Sequence, residues 1–171
     1  MEDVHAAYLV LVWLHIVAAV IWLGGMVFPT VVVIPVLRRR EYRSLAAPLI
    51  RLTGKRFRWV GWVCLGLLLV SGTFNVGYRG FGWMDLASGR IFLGPFGRAL
   101  GIKLSLVAAM IFISAAHDFV VGPRASLSVQ QNPSSSRARR LRRQASWLGR
   151  LNLLIGLIVV ALGVILVRGW P

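Results

Sequence analysis

Four apolar stretches dominate this sequence, and each is long enough to cross a membrane as a helix. They lie at about 8–36, 59–78, 99–122 and 147–167. A hydrocarbon core of roughly 30 Å is crossed by about 20 helical residues, and a helix in lipid satisfies its own backbone hydrogen bonds. With 57% hydrophobic and only 15% charged residues, the chain leaves no segment for a soluble domain. We therefore expect an all-α membrane protein in which residues 1–171 form a single four-transmembrane-helix bundle.

The basic residues are concentrated in two connections between these stretches, and their distribution predicts the orientation of the chain. The net charge is +15. The two connections, the second being a basic, serine-rich loop at 124–146, hold Arg38, Arg39, Arg40, Arg43, Arg51, Lys55, Arg56, Arg58, Arg124, Arg137, Arg139, Arg140, Arg142 and Arg143. Because short cytoplasmic loops carry an excess of Lys and Arg, we expect both connections in the cytoplasm and both termini outside. Anionic lipid headgroups are the expected partners, and no nucleic acid is expected because no binding module accompanies the arginines.

The connecting segments differ in composition. Residues 125–136 are polar and rich in serine, which predicts a mobile linker. Residues 41–58 predict a short amphipathic helix on the inner membrane surface, broken at Pro48 and Gly54. Residues 79–98 mix Gly and Pro with aromatic residues, a composition typical of the outer membrane interface.

Polar and ionisable side chains inside the apolar stretches are candidates for function, because their burial in lipid is costly. Six such residues form two groups by depth at about 1.5 Å of helix rise per residue, with His15, Asn75 and Lys103 in the outer leaflet and His117, Asp118 and Asn152 in the inner leaflet. The two histidines differ in depth by more than ~10 Å, which argues against one haem held between them.

Each of these residues also has a purely structural explanation. His15 and His117 can each hydrogen-bond a neighbouring helix, and Lys103 can extend its ammonium group to the outer surface. Asp118 can form a charge pair at the end of its helix, and Asn152 can make an interhelical hydrogen bond. The sequence alone leaves the functional and the structural explanations open.

Copper and haem b are two cofactors that are chemically compatible with these residues, and the spacing alone selects neither. Cu(I) prefers sulfur ligands and accepts imidazole, so His15 and Met26 are candidate metal ligands. For haem b, His15 is a candidate axial ligand, the opposite position is open or taken by Lys103, and His117 is a further candidate. Cys64 is the only cysteine, which leaves no Cys-x-x-Cys metal site. Neither a catalytic triad nor a nucleotide-binding loop is recognisable, so enzymatic activity stays undecided.

Three segments carry a pattern that spans the first three apolar stretches. They read WLHIVAAVIWLGGMVF, RFRWVGWVCLGLLLVSGTFNV and GPFGRALGIKLSLVAAMIFISAAH. The positions that define the pattern are His15 with Trp22-Leu23-Gly24-Gly25, Ser71-Gly72, Phe96-Gly97-Arg98 and Ile102-Lys103. In order and spacing these segments resemble the transmembrane domain of the copper resistance protein D family. The resemblance implies a four-helix protein of the bacterial inner (cytoplasmic) membrane that serves copper uptake or tolerance.

A second, weaker similarity concerns Lys103 and the histidine one span-length later, His117. This arrangement is similar to the HemJ-type haem-binding protoporphyrinogen oxidases. Three interpretations follow: a CopD-like protein that handles copper through an intramembrane His/Lys site, a haem b oxidoreductase or electron carrier, and a structural subunit of a larger membrane complex. Because four helices are few for a transporter, we also expect a homodimer or a larger assembly.

Overall fold

The computed structural model describes residues 2–168, and all regular secondary structure in this range is helical. Four helical segments are long and apolar enough to cross a membrane: Asp3–Leu37, Arg40–Tyr78, Gly94–Gln131 and Ser136–Arg168. Each of them contains one of the four apolar stretches. This confirms an all-helical protein with four candidate membrane spans, while the orientation of the termini stays a prediction. The chain divides after Leu93 into two compact units.

The first unit is built on an antiparallel pair of long helices, α1 and α3. Its elements are α1 (Glu2–Phe28), a π-helical turn (Pro29–Val33), α2 (Ile34–Leu37), a 3₁₀ turn (Arg40–Tyr42), α3 (Arg43–Tyr78), α4 (Trp83–Ala87) and a second 3₁₀ turn (Arg90–Phe92). Tyr8 near the start of α1 stacks on Tyr78 at the end of α3, with ring centroids 3.9 Å apart. Further along the pair, the buried Trp22 ring lies 3.8 Å from the position that a Cβ on Gly61 would occupy. A glycine at this position lets the two helices approach closely.

The first unit accommodates its prolines in two ways. Pro29 begins the π-helical turn, in which the N–H of Ile34 donates to the carbonyl of Pro29, five residues earlier. At the first position of this turn, proline lacks the N–H that would pair with the preceding turn of α1. Pro48, in contrast, lies inside the continuous helix α3, so the predicted break at Pro48 and Gly54 is wrong. Proline in a helix interior costs about 3 kcal/mol, and glycine costs about 1 kcal/mol relative to alanine. The 36 residues of α3 continue through both positions, and the packing of α3 against α1 offsets this cost.

The second unit pairs α5 with α7 and α6 with the beginning of α7. Its elements are α5 (Gly94–Ala115), a π-helical turn (Ala116–Val121), α6 (Gly122–Gln131) and α7 (Ser136–Arg168). The predicted mobile linker at 125–136 is therefore helical as far as Gln131, and the 124–146 connection is helical except for residues 132–135. Ala125 on α6 and Ala138 on α7 are buried, and this packing stabilises the helices. The polar composition of the segment does not reveal it.

Candidate functional site

The imidazole of His15 is held by a hydroxyl group from the neighbouring helix of the first unit. Nδ1 of His15, on α1, lies 2.8 Å from Oγ of Ser71, on α3. The hydroxyl of Ser71 donates its own hydrogen to the carbonyl of Leu67, at 2.5 Å. Because a serine hydroxyl has one hydrogen, Oγ of Ser71 accepts from His15, and Nδ1 must carry the donated proton. In neutral His15 the lone pair therefore resides on Nε2.

Two further residues of α3 follow Ser71, and one of them contacts His15. A Cβ on Gly72 would lie 3.4 Å from Cε1 of His15, so the imidazole edge rests directly on the glycine. Asn75 follows Ser71 by one helical turn, and its Oδ1 is buried with no hydrogen-bond partner among the residues that the structure describes. The first unit thus presents an ordered imidazole and an unsatisfied amide oxygen within apolar helices. We refer to His15, Ser71, Gly72 and Asn75 as the histidine cluster.

The second unit contains its own buried polar pair. Nδ2 of Asn152, on α7, donates to Oγ of Ser114, on α5, at 2.9 Å. Asn152 is only 6% exposed, and its Oδ1 finds no hydrogen-bond partner within residues 2–168. Asn152 therefore makes an interhelical hydrogen bond and keeps one unsatisfied acceptor.

The other ionisable candidates of the second unit are Lys103, on α5, and His117 and Asp118, in the π-helical turn. Nζ of Lys103 lies 3.6 Å from the position that a Cβ on Gly163 would occupy, so the ammonium group extends onto α7 where no side chain blocks it. His117 and Asp118 both lie in the π-helical turn, and Nδ1 of His117 is 2.9 Å from Oδ1 of Asp118. The N–H of Gly122 closes this turn on the carbonyl of His117.

The structure does not bring the two predicted metal ligands of α1 together. His15 and Met26 are separated by eleven residues of one continuous helix, which is about 16 Å along its axis. Cys64, buried on α3, precedes Ser71 by seven residues, or about 10 Å. Within the described part of the chain, no group of three His, Cys, Asp or Glu side chains is arranged to hold a metal ion. His15 and Met26 are therefore too far apart to bind one metal ion together.

Ser71 and Ser114 are the two residues of these sites whose roles the sequence did not reveal. Serine inside an apolar helix commonly bonds to the carbonyl four residues earlier, so a hydroxyl alone does not indicate a contact with another helix. Ser71 stood out only as part of the Ser71-Gly72 pair. Its pairing with His15 depends on the register of α1 against α3, and this register becomes known only from the packing.

Comparison with known proteins places the chain in a family. The family model for copper resistance protein D matches residues 51–166, a segment that includes Ser71 and Lys103 but not His15. An uncharacterized protein of Aquifex aeolicus (strain VF5) is 33% identical over 154 residues, which cover 89% of this chain and 90% of the relative. No solved structure matches significantly. These matches give no support to the similarity with the haem-binding oxidases, and the chain belongs to the copper resistance protein D family.

Proposed function

We propose that this protein handles copper within the bacterial cytoplasmic membrane and that His15 binds the passing ion through Nε2. Membership of the copper resistance protein D family and four apolar helices support a copper-related, multi-pass membrane protein. The observation that carries the finer proposal is the hydrogen bond from His15 to Ser71, which orients the imidazole and favours the tautomer whose acceptor nitrogen is Nε2. Imidazole is an accepted ligand of copper, and a hydrogen bond to its second nitrogen is the usual support of a metal-binding histidine.

A single firmly oriented ligand suits an ion that is cargo rather than a resident cofactor. Transport requires binding that is favourable enough for entry and weak enough for release. Three or four converging ligands would hold the ion, whereas a single imidazole allows it to exchange. The proposal assigns the ligand role to His15, whose imidazole Ser71 orients, and not to Lys103, whose Nζ lies against Gly163 in the second unit. Lys103 and His117 stay candidates for a supporting role in the second unit.

The orientation follows from the basic connections. Exposed arginines occupy the segment around Arg38–Arg43 in the first unit and the beginning of α7 in the second. If both segments face the cytoplasm, as the excess of basic residues in cytoplasmic loops indicates, both termini lie outside. His15 then lies in the outer half of the membrane, where it would meet copper arriving from outside the cell.

The copper content of cells tests this proposal. We expect expression of the wild-type protein to change the copper content, measured by mass spectrometry against an empty vector. His15→Ala should abolish the change, while the control His5→Ala, at an exposed histidine of the same helix, should preserve it. Immunoblots of the membrane fraction confirm equal protein levels. A His15→Ala variant as active as the wild type would refute the assignment of His15.

The absorption spectrum separates copper from haem. We expect the purified protein to be colourless in the visible range, both as isolated and after reduction with dithionite. A Soret band corresponding to about one haem per chain would instead support a haem b protein with His15 as an axial ligand, and it would overturn the copper proposal.

A further inference from the structure

A shallow groove in the second unit lies where α7 changes from basic to apolar. The groove has a volume of about 350 Å³ and is lined by Val121, Gln144, Trp147 and Leu148. Trp147 is 60% exposed although it is a large aromatic residue. Gln144 supplies the polar side chain of the lining. A small polar anion alone finds few hydrogen-bond donors here, so the lining fits a molecule that is largely apolar.

The face of α7 that carries Trp147 changes along the helix axis, from basic residues before the groove to apolar residues after it. At about 100° per residue, Arg140 and Arg143 lie within roughly 40° of Trp147 around the helix axis, one to two turns before it. Both arginines are exposed. On the other side of the groove, the same face continues with Leu151 and Leu154, which are 43% and 56% exposed. One helix face therefore presents positive charge, then an aromatic and an amide group, then a lipid-facing apolar surface.

The positive charge of this face has no compensation within its own part of the chain. The sequence after Asp118 contains eight arginines and no acidic residue. Among the described residues, neither Arg140 nor Arg143 makes an ion pair. The first turn of α7 likewise contains no acidic residue, so the positive end of its helix dipole adds to the field of the arginines. An anionic group is the complement that this surface lacks.

We propose that this face of α7 binds an anionic phospholipid. Its phosphate and headgroup lie against Arg140 and Arg143, its glycerol region lies at Gln144 and Trp147, and its acyl chain follows the groove towards Leu151. Arginine binds phosphate oxygens through charge-assisted hydrogen bonds, and tryptophan is enriched at the level of lipid headgroups. A second copy of this chain is a poor occupant, since its net charge of +15 would repel the same arginines.

Native mass spectrometry of the full-length protein in a non-ionic detergent tests the site. The probes are dioleoyl phosphatidylglycerol and dioleoyl phosphatidylcholine, which share acyl chains and differ in charge. We expect the wild type to retain phosphatidylglycerol in preference to phosphatidylcholine. Arg140→Gln combined with Arg143→Gln should weaken this retention about tenfold. Arg139→Gln combined with Arg142→Gln removes the same charge from exposed positions roughly 80° and 140° away from Trp147, on the side opposite to Gln144 and Leu148, and it should leave most of the retention intact.

A second pair of variants tests the groove itself. Trp147→Ala should reduce the retention of phosphatidylglycerol, while Trp59→Ala, at a tryptophan of α3 that is 78% exposed, should not. Glycerol phosphate, which carries the charge without acyl chains, should fail to compete with the lipid at equal concentration. Helical circular dichroism confirms that each variant is folded.

The proposal is overturned by any of four results. The two arginine double variants lose equal amounts of lipid, which means that only diffuse charge matters. Phosphatidylcholine is retained as well as phosphatidylglycerol. Glycerol phosphate competes fully with the lipid, which means that the site recognises the phosphate and not the acyl chains. The purified wild type forms dimers that retain no lipid, which assigns this face to self-association.

Discussion

Replacement of Ser71 by alanine is the most informative test of the histidine cluster, because it removes the hydrogen-bond partner of His15. The change removes the acceptor that lies 2.8 Å from Nδ1 of His15. The bond from Ser71 to the carbonyl of Leu67 is also lost, but that carbonyl still accepts the backbone N–H of residue 71 within α3. The net cost is therefore that of the interhelical bond. Such bonds average about 0.6 kcal/mol in membranes, and a donor left half-buried raises the cost, so we expect a loss of about 1 kcal/mol.

The same substitution should affect copper binding more than stability. Without Ser71, the Nδ1–H tautomer is no longer favoured and the ring loses the hydrogen bond that orients it. Loss of a supporting hydrogen bond usually lowers metal affinity about 10- to 100-fold, and we expect a Cu(I) affinity about tenfold weaker. The affinity is measured by competition with a chromophoric Cu(I) chelator, and the stability by reversible unfolding in detergent.

Thr73→Val is the matched control for Ser71→Ala. The hydroxyl of Thr73 donates to the carbonyl of Leu69 at 2.9 Å, so it makes the same kind of bond within α3, but at an exposed position. We expect this variant to keep the copper affinity of the wild type. A double-mutant cycle of Ser71→Ala with His15→Phe should give a coupling energy of about 1 kcal/mol. A coupling energy of zero, or equal copper affinities for Ser71→Ala and Thr73→Val, would show that Ser71 does not support His15 in binding copper.

Two further predictions concern glycines at close contacts. A Cβ on Gly25 would lie 1.9 Å from Cε2 of Phe57, so Gly25→Val should lower the free energy of unfolding by about 1–3 kcal/mol, and combination with Phe57→Ala should recover part of it. A double variant that recovers none of the lost free energy of unfolding would argue against a contact between residue 25 and Phe57. A Cβ on Gly122 would lie 2.8 Å from the carbonyl oxygen of His117, so Gly122→Ala should cost about 1–3 kcal/mol by opening the π-helical turn. Gly149→Ala, which meets nothing within 4 Å, should raise stability by up to about 1 kcal/mol, and thermal unfolding that ranks these two variants in the reverse order would contradict the account.

The long helices could be predicted from the sequence because lipid imposes a simple rule on their composition. An apolar stretch of about 20 residues has no alternative to a helix in hydrocarbon, and all four stretches obey it. The connections follow no such rule. The polar stretch before Gln131 is helical because α6 packs against α7, and α3 continues through Pro48 because the packing of this long helix against α1 offsets the cost of the proline. Both effects depend on tertiary packing or helix length, which local composition does not encode.

The polar residues of the candidate site could be identified from the sequence because polar side chains are costly in a membrane-spanning helix. Their hydrogen-bond partners could not be identified in this way. His15, Asn75 and Asn152 stand out because a polar side chain is rare in an apolar stretch. Which atoms they meet depends on helix register, and a shift by one residue rotates a side chain by about 100°. For this reason the pairing of Asn152 with Ser114 and the support of His15 by Ser71 become visible only in the structure.

Cu(I) binding by the purified protein is the decisive measurement for the proposal that His15 binds copper. The protein is titrated anaerobically with Cu(I), and the local environment of the bound copper is measured by X-ray absorption. The account predicts bound Cu(I) with the scattering pattern of an imidazole ligand in the wild type, and loss of that pattern in His15→Ala while the control His5→Ala retains it. An imidazole pattern that persists in His15→Ala, or a wild-type protein that binds no Cu(I), would contradict the assignment of His15 as the copper ligand.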